Sequence, residues 1–297
     1  MVQKAKPTWR KWVNLVIWAI GVLIILGGVA IAGIHMYVAN SKPLIEGEAV
    51  VSILDDDVEV TRDGVGVPHI TAKSDADLYR AQGYVQAQDR LFQMDLARRQ
   101  ASGTLAEVVG SSAVDTDKYF RTFSLRQAAE LSWEDYDADS KQILEWFAEG
   151  VNAFIDEVSG TSKLSYEFKL LGYKPAPWTP IDSLTIGKYM AYDLGGNWNQ
   201  QAFRSFALQN YTEQQAKELF VEYPENAKSI IEANLNLETN IASAFTTDYL
   251  PSEFNGSNNW VIGGALTESG KPLLADDPHL GLSSPSVWYQ MHLQSPE

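Results

Sequence analysis

The chain opens with an uncharged segment long enough to cross a membrane. The stretch Val13–Ala32 has 20 residues, of which only Asn14 is polar, about the length that a helix needs to cross a hydrocarbon core of ~30 Å. No formal charge occurs from residue 12 to residue 41, and the residues before this segment carry basic side chains only, at Lys4, Lys6, Arg10 and Lys11. This asymmetry predicts a cytoplasmic N-terminus and a body outside the membrane.

A cleaved signal peptide is the alternative to an uncleaved anchor. Ala30-Ile31-Ala32 resembles the small-residue site at which signal peptides are cut. The apolar run is longer than the roughly 7–15 residues of a usual signal peptide, which favours an anchor through residues 13–39. A buried helix of a soluble protein rarely has a fully apolar circumference beside a basic leader. We therefore expect an extracytoplasmic protein anchored in the cytoplasmic membrane, with secretion after cleavage as the alternative.

Charge and composition exclude several classes of protein. The 297 residues include 38 acidic and 23 basic side chains, a net charge of −15, which argues against a nucleic-acid partner. The chain has no cysteine, which excludes disulfides, thiolate metal sites and cysteine nucleophiles. The hydrophobic fraction of 45% and the charged fraction of 21% are those of a globular protein.

Hydrophobic periodicity predicts a mainly helical body with strands at its two ends. Ser74 resembles a helix N-cap with Asp77 as its third residue. Apolar positions three and four apart predict a helix over Asp139–Val158 that Gly160 ends, and Asp182 suits the cap of a further helix. Weaker helical patterns cover residues 213–223 and 227–241. The predicted strands are Val58–Thr61, Val67–Thr71, Asn259–Gly263 and Pro272–Ala275, the first two joined by an Asp-Gly turn.

Common functional motifs are missing or incomplete. The stretch Ala265–Lys271 lacks the first glycine of a phosphate-binding loop, and Pro272 replaces its hydroxyl residue. Asp55–Asp57 lacks the spacing of a calcium loop, so we expect a solvated acidic turn. No G-x-S-x-G nucleophile elbow occurs. The four histidines show no metal-binding spacing: His35, His69, His279 and His292.

The residues on either side of the Gly256–Ser257 peptide bond are of types that permit self-cleavage. A Ser hydroxyl beside a strained glycyl bond can attack the preceding carbonyl, and hydrolysis of the resulting ester leaves Ser257 as a new N-terminus. The freed α-amine would have a pKa of ~7.7–8, much nearer neutrality than that of Lys. It can therefore act as the base for its own hydroxyl. On these residues alone, an ordinary hairpin that contains a serine is the favoured interpretation.

Four segments, taken in order, resemble the penicillin acylase (penicillin amidase) family of N-terminal-nucleophile hydrolases. The resemblance spans roughly residues 58–290. The matching segments are Val60–Gly64 with Gly66–Ile70, Gly83–Asp95 with Arg98-Arg99 and 103–110, Pro177–Ser183, and Ser257–Gly263 with Gly270–Leu280.

The resemblance implies roles for particular residues. Ser257 is the expected nucleophile, and Gly256–Ser257 is the expected self-cleavage site. His279 falls beside the nucleophile, where it would assist the Ser257 amine or hydroxyl; an ordinary loop histidine is the alternative. The expected acyl-pocket residues are Met190, Leu194 and Leu280, although a plain core role suits the first two equally well. The remaining motif residues are expected to form structural ion pairs that seat the first chain against the second: Arg62, Asp63, Gln88, Asp89 and Arg90.

The family fold implied is α+β, a four-layer αββα arrangement, here preceded by one transmembrane helix. We expect a leader and anchor in residues 1–41, a first chain in 42–256 with a spacer in about 234–256, and the start of the catalytic chain in 257–297. The family's catalytic part is several hundred residues longer. Its oxyanion-hole asparagine and partner arginine have no counterpart here, so residues 1–297 alone are expected to be inactive.

The function implied is hydrolysis of a small N-acyl amide, such as a penicillin side chain or an acyl-homoserine lactone. The other partner would be the protein's own catalytic chain after self-cleavage. No cofactor is required for this chemistry. The family often binds one calcium ion, but the corresponding residues Asn199–Ala202 contain no Glu, so a structural calcium stays unassigned. The alternatives are an anchored, non-catalytic module that binds an acyl ligand, and a structural protein without a pocket.

Overall fold

A computed structural model describes residues 9–195, 198–220 and 256–296. The helix predicted over residues 227–241 and the expected spacer before Gly256 lie outside the described residues. The helices are α1 Trp9–Ala39, α2 Asp75–Ser102, α3 Ala106–Val109, α4 Val114–Phe123, α5 Leu125–Asp135, α6 Ala138–Val158, α7 Tyr166–Leu171, α8 Pro180–Leu194, α9 Trp198–Asn210 and α10 Glu213–Leu219. The strands are β1 Glu59–Arg62, β2 Pro68–Thr71, β3 Gly256–Ile262, β4 Leu273–His279 and β5 His292–Gln294.

Helix α1 has the length and composition of a membrane-crossing segment. Within Lys11–Ala39, the most apolar 18-residue window has a mean hydropathy of 2.8, and none of it is buried against the rest of the protein. A helix from the core of a soluble protein would be largely covered, so its exposure argues against that reading. Length and composition alone do not separate an anchor from a signal peptide.

The chain divides into two compact units. The first takes its described residues from Met1–Ala97, Tyr136–Pro180 and Gln290–Glu297, and the second from Arg98–Asp135 and Ile181–Tyr289. The first unit contains a three-stranded sheet in the order β1-β2-β5. The second contains the two-stranded β3–β4 hairpin.

Side chains that alternate along strand β2, with every second one buried, form part of the core of the first unit. Strands β1 and β2 form the predicted antiparallel hairpin, and β2 pairs in parallel with β5. Ile70 is fully buried, and Leu293 beside it in the register packs against the same core. The other buried members of this core come from Ala72 and from helix α2: Leu78, Ala81, Tyr84 and Val85. Strand β5 was not predicted from the sequence, because three residues are too few to show a period.

Helices α2 and α6 touch through glycines. A Cβ added to Gly83 would overlap the Phe147 carbonyl of α6, and one added to Gly150 would overlap the Arg80 carbonyl of α2. Because neither glycine has a side chain, the two backbones can approach directly. Arg80 extends beside this crossing and pairs with Glu149 at 2.8 Å.

Two predicted helix caps have different roles in the structure. Ser74 caps α2 as expected, since its Oγ accepts from the Asp77 backbone N–H at 3.2 Å. The Asp77 carboxylate, however, is buried and accepts from the backbone N–H groups of Asp55 and Asp56, both at 3.0 Å. It therefore anchors the acidic turn that we expected to be merely solvated. Asp182 is not a cap, because α8 begins two residues earlier, at Pro180.

Replacing either glycine at the α2–α6 contact by alanine is expected to destabilise the protein. Gly83→Ala and Gly150→Ala should each lower the free energy of unfolding by roughly 2 kcal/mol or more, because the new Cβ meets backbone that cannot rotate away. The control is Gly187→Ala on α8, where a Cβ would meet no atom within 4 Å. It should be neutral or stabilise by up to ~1 kcal/mol. Equal denaturation midpoints for all three variants would contradict the close contact.

Candidate active site

The predicted nucleophile lies at the start of a β-hairpin. In the antiparallel β3–β4 pair, Gly256 is opposite His279 and Ser257 is opposite Pro278. The Ser257 hydroxyl donates a hydrogen bond to the Gly256 carbonyl at 2.7 Å, and the Ser257 side chain is exposed. Pro278 has no N–H, so the carbonyl of Ser257 receives no hydrogen bond from its direct cross-strand neighbour. The hydroxyl therefore lies beside the carbonyl that self-cleavage would attack.

His279 lies across the hairpin from the Gly256–Ser257 bond. Its Nε2 is 3.5 Å from Asn258 Nδ2, and its Nδ1 is 3.6 Å from an Asp277 carboxylate oxygen. A neutral ring protonated at Nδ1 suits both contacts. Because opposite residues of a ladder share a face and successive residues alternate, His279 and Asn258 project from one face and Ser257 from the other. The role of His279 stays a prediction.

The pocket residues predicted on α8 share one side of that helix. Met190 and Leu194 are four residues apart, as expected for a common face. Met190 is half-buried, and the residue Leu194 is 40% exposed. Leu280, the third predicted pocket residue, is half-buried immediately after β4. The exposure of Leu194 favours a surface that could contact a ligand over a fully packed core position.

An aromatic cluster that sequence reasoning missed holds α8 against α4. Tyr192 hydrogen-bonds to Tyr119 through their hydroxyls at 2.6 Å, and the Tyr189 ring lies 5.5 Å from that of Phe120. Burial raises the pKa of Tyr189, with a further contribution from the charge of Asp193. Burial also raises the pKa of Asp193. The spacing of aromatics on two separate helices gave no local signal for this packing.

Asp182 fixes the beginning of α8. Its carboxylate is buried and contacts Arg126 at 2.8 Å and Arg98 at 3.4 Å. Arg126 also reaches the exposed carboxylate of Glu130 at 3.3 Å. Since the Asp182 charge is enclosed, it depends on these guanidinium groups for compensation. The arrangement connects the segments around residues 98 and 182, which belong to two of the sequence motifs.

Arg62 and Asp89, two of the motif residues predicted to form ion pairs, pair with each other. Arg62 and Asp89 make a two-pronged contact, at 2.8 and 3.1 Å, that joins β1 to α2. Both belong to the predicted first chain, so this pair stabilises that chain internally. Asp63 instead closes the hairpin turn by accepting from the N–H groups of Val65 and Val67. These hydrogen bonds lower the pKa of the Asp63 carboxyl.

No metal centre accompanies the predicted site in the described part of the chain. Residues 9–195, 198–220 and 256–296 contain no group of three or more His, Asp or Glu side chains placed to hold a metal ion. The structural calcium raised by the sequence therefore stays unassigned. A groove of about 1120 Å³ lies in the first unit, between the segment 44–60 and α2. It includes none of the predicted site residues.

The sequence model of the family described as "Penicillin amidase" matches residues 57–297, which is most of the chain. The chain belongs to the penicillin amidase family. The match includes the β1–β2 hairpin, the helical region and the β3–β4 hairpin with Ser257. It confirms the resemblance carried by the four sequence motifs.

Several members of the penicillin amidase family are similar to the chain. It is 34% identical over 267 residues to the "Penicillin acylase 2 proenzyme" of Pseudomonas sp. (strain SE83), covering 84% of this chain and 34% of that protein. It is 31% identical over 271 residues to the "Acyl-homoserine lactone acylase QuiP" of Pseudomonas aeruginosa, covering 87% of this chain and 32% of that protein. The chain thus spans about a third of the length of these relatives.

Among solved structures, the chain is similar to a thermostable penicillin G acylase from Alcaligenes faecalis. The two are 31% identical, and the alignment covers 60% of this chain and 98% of that one. The TM-score is 0.49.

Asp182→Asn is expected to destabilise the protein by about 3 kcal/mol, because it leaves two arginines without their shared buried counter-charge. Glu130→Gln is the matched control, since it removes an exposed partner of the same Arg126 and should cost less than ~1 kcal/mol. Denaturant unfolding of the two variants measures the difference. A similar loss of unfolding free energy in both variants would show that burial does not make the Asp182 carboxylate more important to stability than the exposed Glu130.

Proposed function

We propose that the protein is an extracytoplasmic amidohydrolase of the penicillin acylase type with Ser257 as its nucleophile. It would cut itself at Gly256–Ser257 and then hydrolyse a small N-acyl amide through an acyl-Ser257 intermediate. Membership of the penicillin amidase family supports the reaction class. The names of the relatives, penicillin acylase and acyl-homoserine lactone acylase, support a penicillin side chain or an acyl-homoserine lactone as the kind of substrate.

The observation that carries the proposal is the 2.7 Å hydrogen bond from Ser257 Oγ to the Gly256 carbonyl. In maturation this oxygen attacks the Gly256 carbonyl carbon, the peptide C–N bond breaks, and an ester forms between the two residues. Water then hydrolyses the ester, which leaves a carboxylate on Gly256 and a free α-amine on Ser257.

In turnover the α-amine of Ser257 takes the proton of its own hydroxyl. Its ordinary pKa of ~7.7–8 suits this role near neutral pH. The oxygen attacks the substrate carbonyl, the amine product leaves with the proton, and water releases the acid from Ser257. His279 projects from the face opposite the Ser257 hydroxyl, which favours the main-chain amine as the group it assists. Met190, Leu194 and Leu280 would contact the acyl group.

Two further features support the proposed architecture. The β2–β5 pairing joins a strand that precedes the cut to a strand that follows it, so the two chains would stay associated after cleavage. The β3–β4 hairpin exposes Trp260, Val261, Leu273 and Leu274. Large exposed apolar surfaces mark contact sites, and the four-layer αββα arrangement would cover these side chains with further layers.

The proposed location rests on α1. The most apolar window of Lys11–Ala39 is uncovered, and basic residues precede the helix while acidic residues follow it. We therefore place the body outside the cytoplasmic membrane, held by residues 13–39. Secretion after signal cleavage is the alternative.

Ser257→Ala in the full gene product is expected to abolish both self-cleavage and amide hydrolysis, because one oxygen serves both reactions. Ser257→Cys should retain some cleavage and lose most turnover. Mass spectrometry and a chromogenic aromatic acyl amide measure the two activities. The control is Ser269→Ala, in the turn between the same two strands, which should keep both. Cleavage between residues 256 and 257 in the alanine variant would remove Ser257 from the mechanism.

Protease added to intact cells is expected to remove the body from the membrane fraction, since it would lie outside. N-terminal sequencing of the untreated protein then separates the two locations: an anchor retains Trp12 and Trp18, whereas signal cleavage removes both. Complete protection of the body in intact cells, with digestion after lysis, would place it in the cytoplasm and contradict the proposal.

A further inference from the structure

Two histidines from distant parts of the chain meet on the β1-β2-β5 sheet. His69 of β2 and His292 of β5 are direct partners in the parallel register. Their Nδ1 atoms are 3.3 Å apart, and the ring planes are inclined by 66° with centroids 5.3 Å apart. Both side chains lie on the solvent face of the sheet, opposite the buried Ile70. Water and ions can therefore reach the pair.

The distance between the two Nδ1 atoms matches the distance between two ligand atoms of one metal ion. Zinc binds imidazole nitrogen at 2.0–2.1 Å with tetrahedral geometry, and two such ligands lie about 3.3 Å apart. Imidazole is a ligand that Zn²⁺ and its first-row neighbours prefer, whereas Mg²⁺ and Ca²⁺ prefer oxygen. A direct N–H···N hydrogen bond between the rings is the competing explanation of the same distance.

Asp63 determines which nitrogen of His69 is available as a ligand. Its Oδ2 lies 3.9 Å from His69 Nε2, while its Oδ1 is held by the N–H groups of Val65 and Val67 at 2.9 and 3.0 Å. The carboxylate is thus fixed on the far side of the His69 ring from His292. A metal-ligating histidine usually directs its other N–H at such a carboxylate. A proton drawn to Nε2 leaves a lone pair on His69 Nδ1, which can bind a metal ion or accept a hydrogen bond from His292. The titration below distinguishes the two.

We propose that His69 and His292 bind one Zn²⁺ or similar divalent transition-metal ion through their Nδ1 atoms, with Asp63 orienting His69. The exposed position leaves the remaining coordination sites to water. The ion would join β2 to β5 and so clamp the sheet at its solvent face. Metal binding itself is independent of the proposed amidase activity. Only the clamping of two separate chains depends on cleavage before Ser257.

The test is calorimetric titration of Zn²⁺ into the full chain, purified in mild detergent. We expect one Zn²⁺ per chain and a higher thermal midpoint with zinc, reversed by a chelator. His69→Gln and His292→Gln should each weaken binding by at least roughly tenfold. Asp63→Asn, which keeps the Oδ1 acceptor but loses the charge, should weaken it by about 10–100-fold. The matched control is His279→Gln, also an exposed strand histidine, which should bind zinc as the parent does.

The outcomes separate clearly. Absence of stoichiometric Zn²⁺ binding by the parent overturns the proposal and leaves a hydrogen-bonded histidine pair. Binding that survives both His69→Gln and His292→Gln, or that only His279→Gln removes, places the metal elsewhere and also overturns it. Thermal unfolding without zinc checks the fold of each variant. If one glutamine variant unfolds early, the other and Asp63→Asn decide the result, since each removes a different contact of the same site.

Discussion

The direct contact between the backbones of α2 and α6 constrains the arrangement of the first unit. Gly83 and Gly150 let the two helices approach until each meets the carbonyls of the other. Helix α2 then offers Tyr84 and Val85 to the core below the sheet, and it carries Asp89, which holds Arg62 of β1. A wider spacing of the helices would loosen that core and shift the strand on which the Asp63 turn and His69 depend.

Local signals identified the elements, and long-range contacts determined what their polar residues do. The hairpin at 59–71, the helix ended by Gly160 and the strands around residues 264–272 each followed from period, turn chemistry or glycine position. Asp77 occupies the predicted position in the first turn of α2, whereas Asp182 lies inside α8 rather than at its cap. Their carboxylates nevertheless bind groups 21 and 56 residues away, and no local pattern encodes such partners. Strand β5 and the tyrosine packing between α4 and α8 escaped prediction for the same reason.

The candidate site was predictable to a different degree at each position. Gly256 and Ser257 carry a chemistry that can be stated from the two residues alone. Gly256 and His279 lie opposite each other only because of the register of the hairpin. The sequence does not determine that register, because several glycines lie between the two strands. His69 and His292 are 223 residues apart. Their spacing in the sequence resembles no metal motif, and only the parallel pairing of β2 with β5 brings them together.

The β2–β5 ladder also affects whether the protein can refold once it has unfolded. In a continuous chain the two strands are tethered, so their encounter is intramolecular, and its entropic cost grows only slowly with the length of the intervening loop. After the proposed cut the tether is gone, and the same ladder becomes an association between two molecules whose rate depends on concentration. The precursor would then refold readily after unfolding. The folded state of the mature protein would instead last because it unfolds slowly, not because it refolds reversibly.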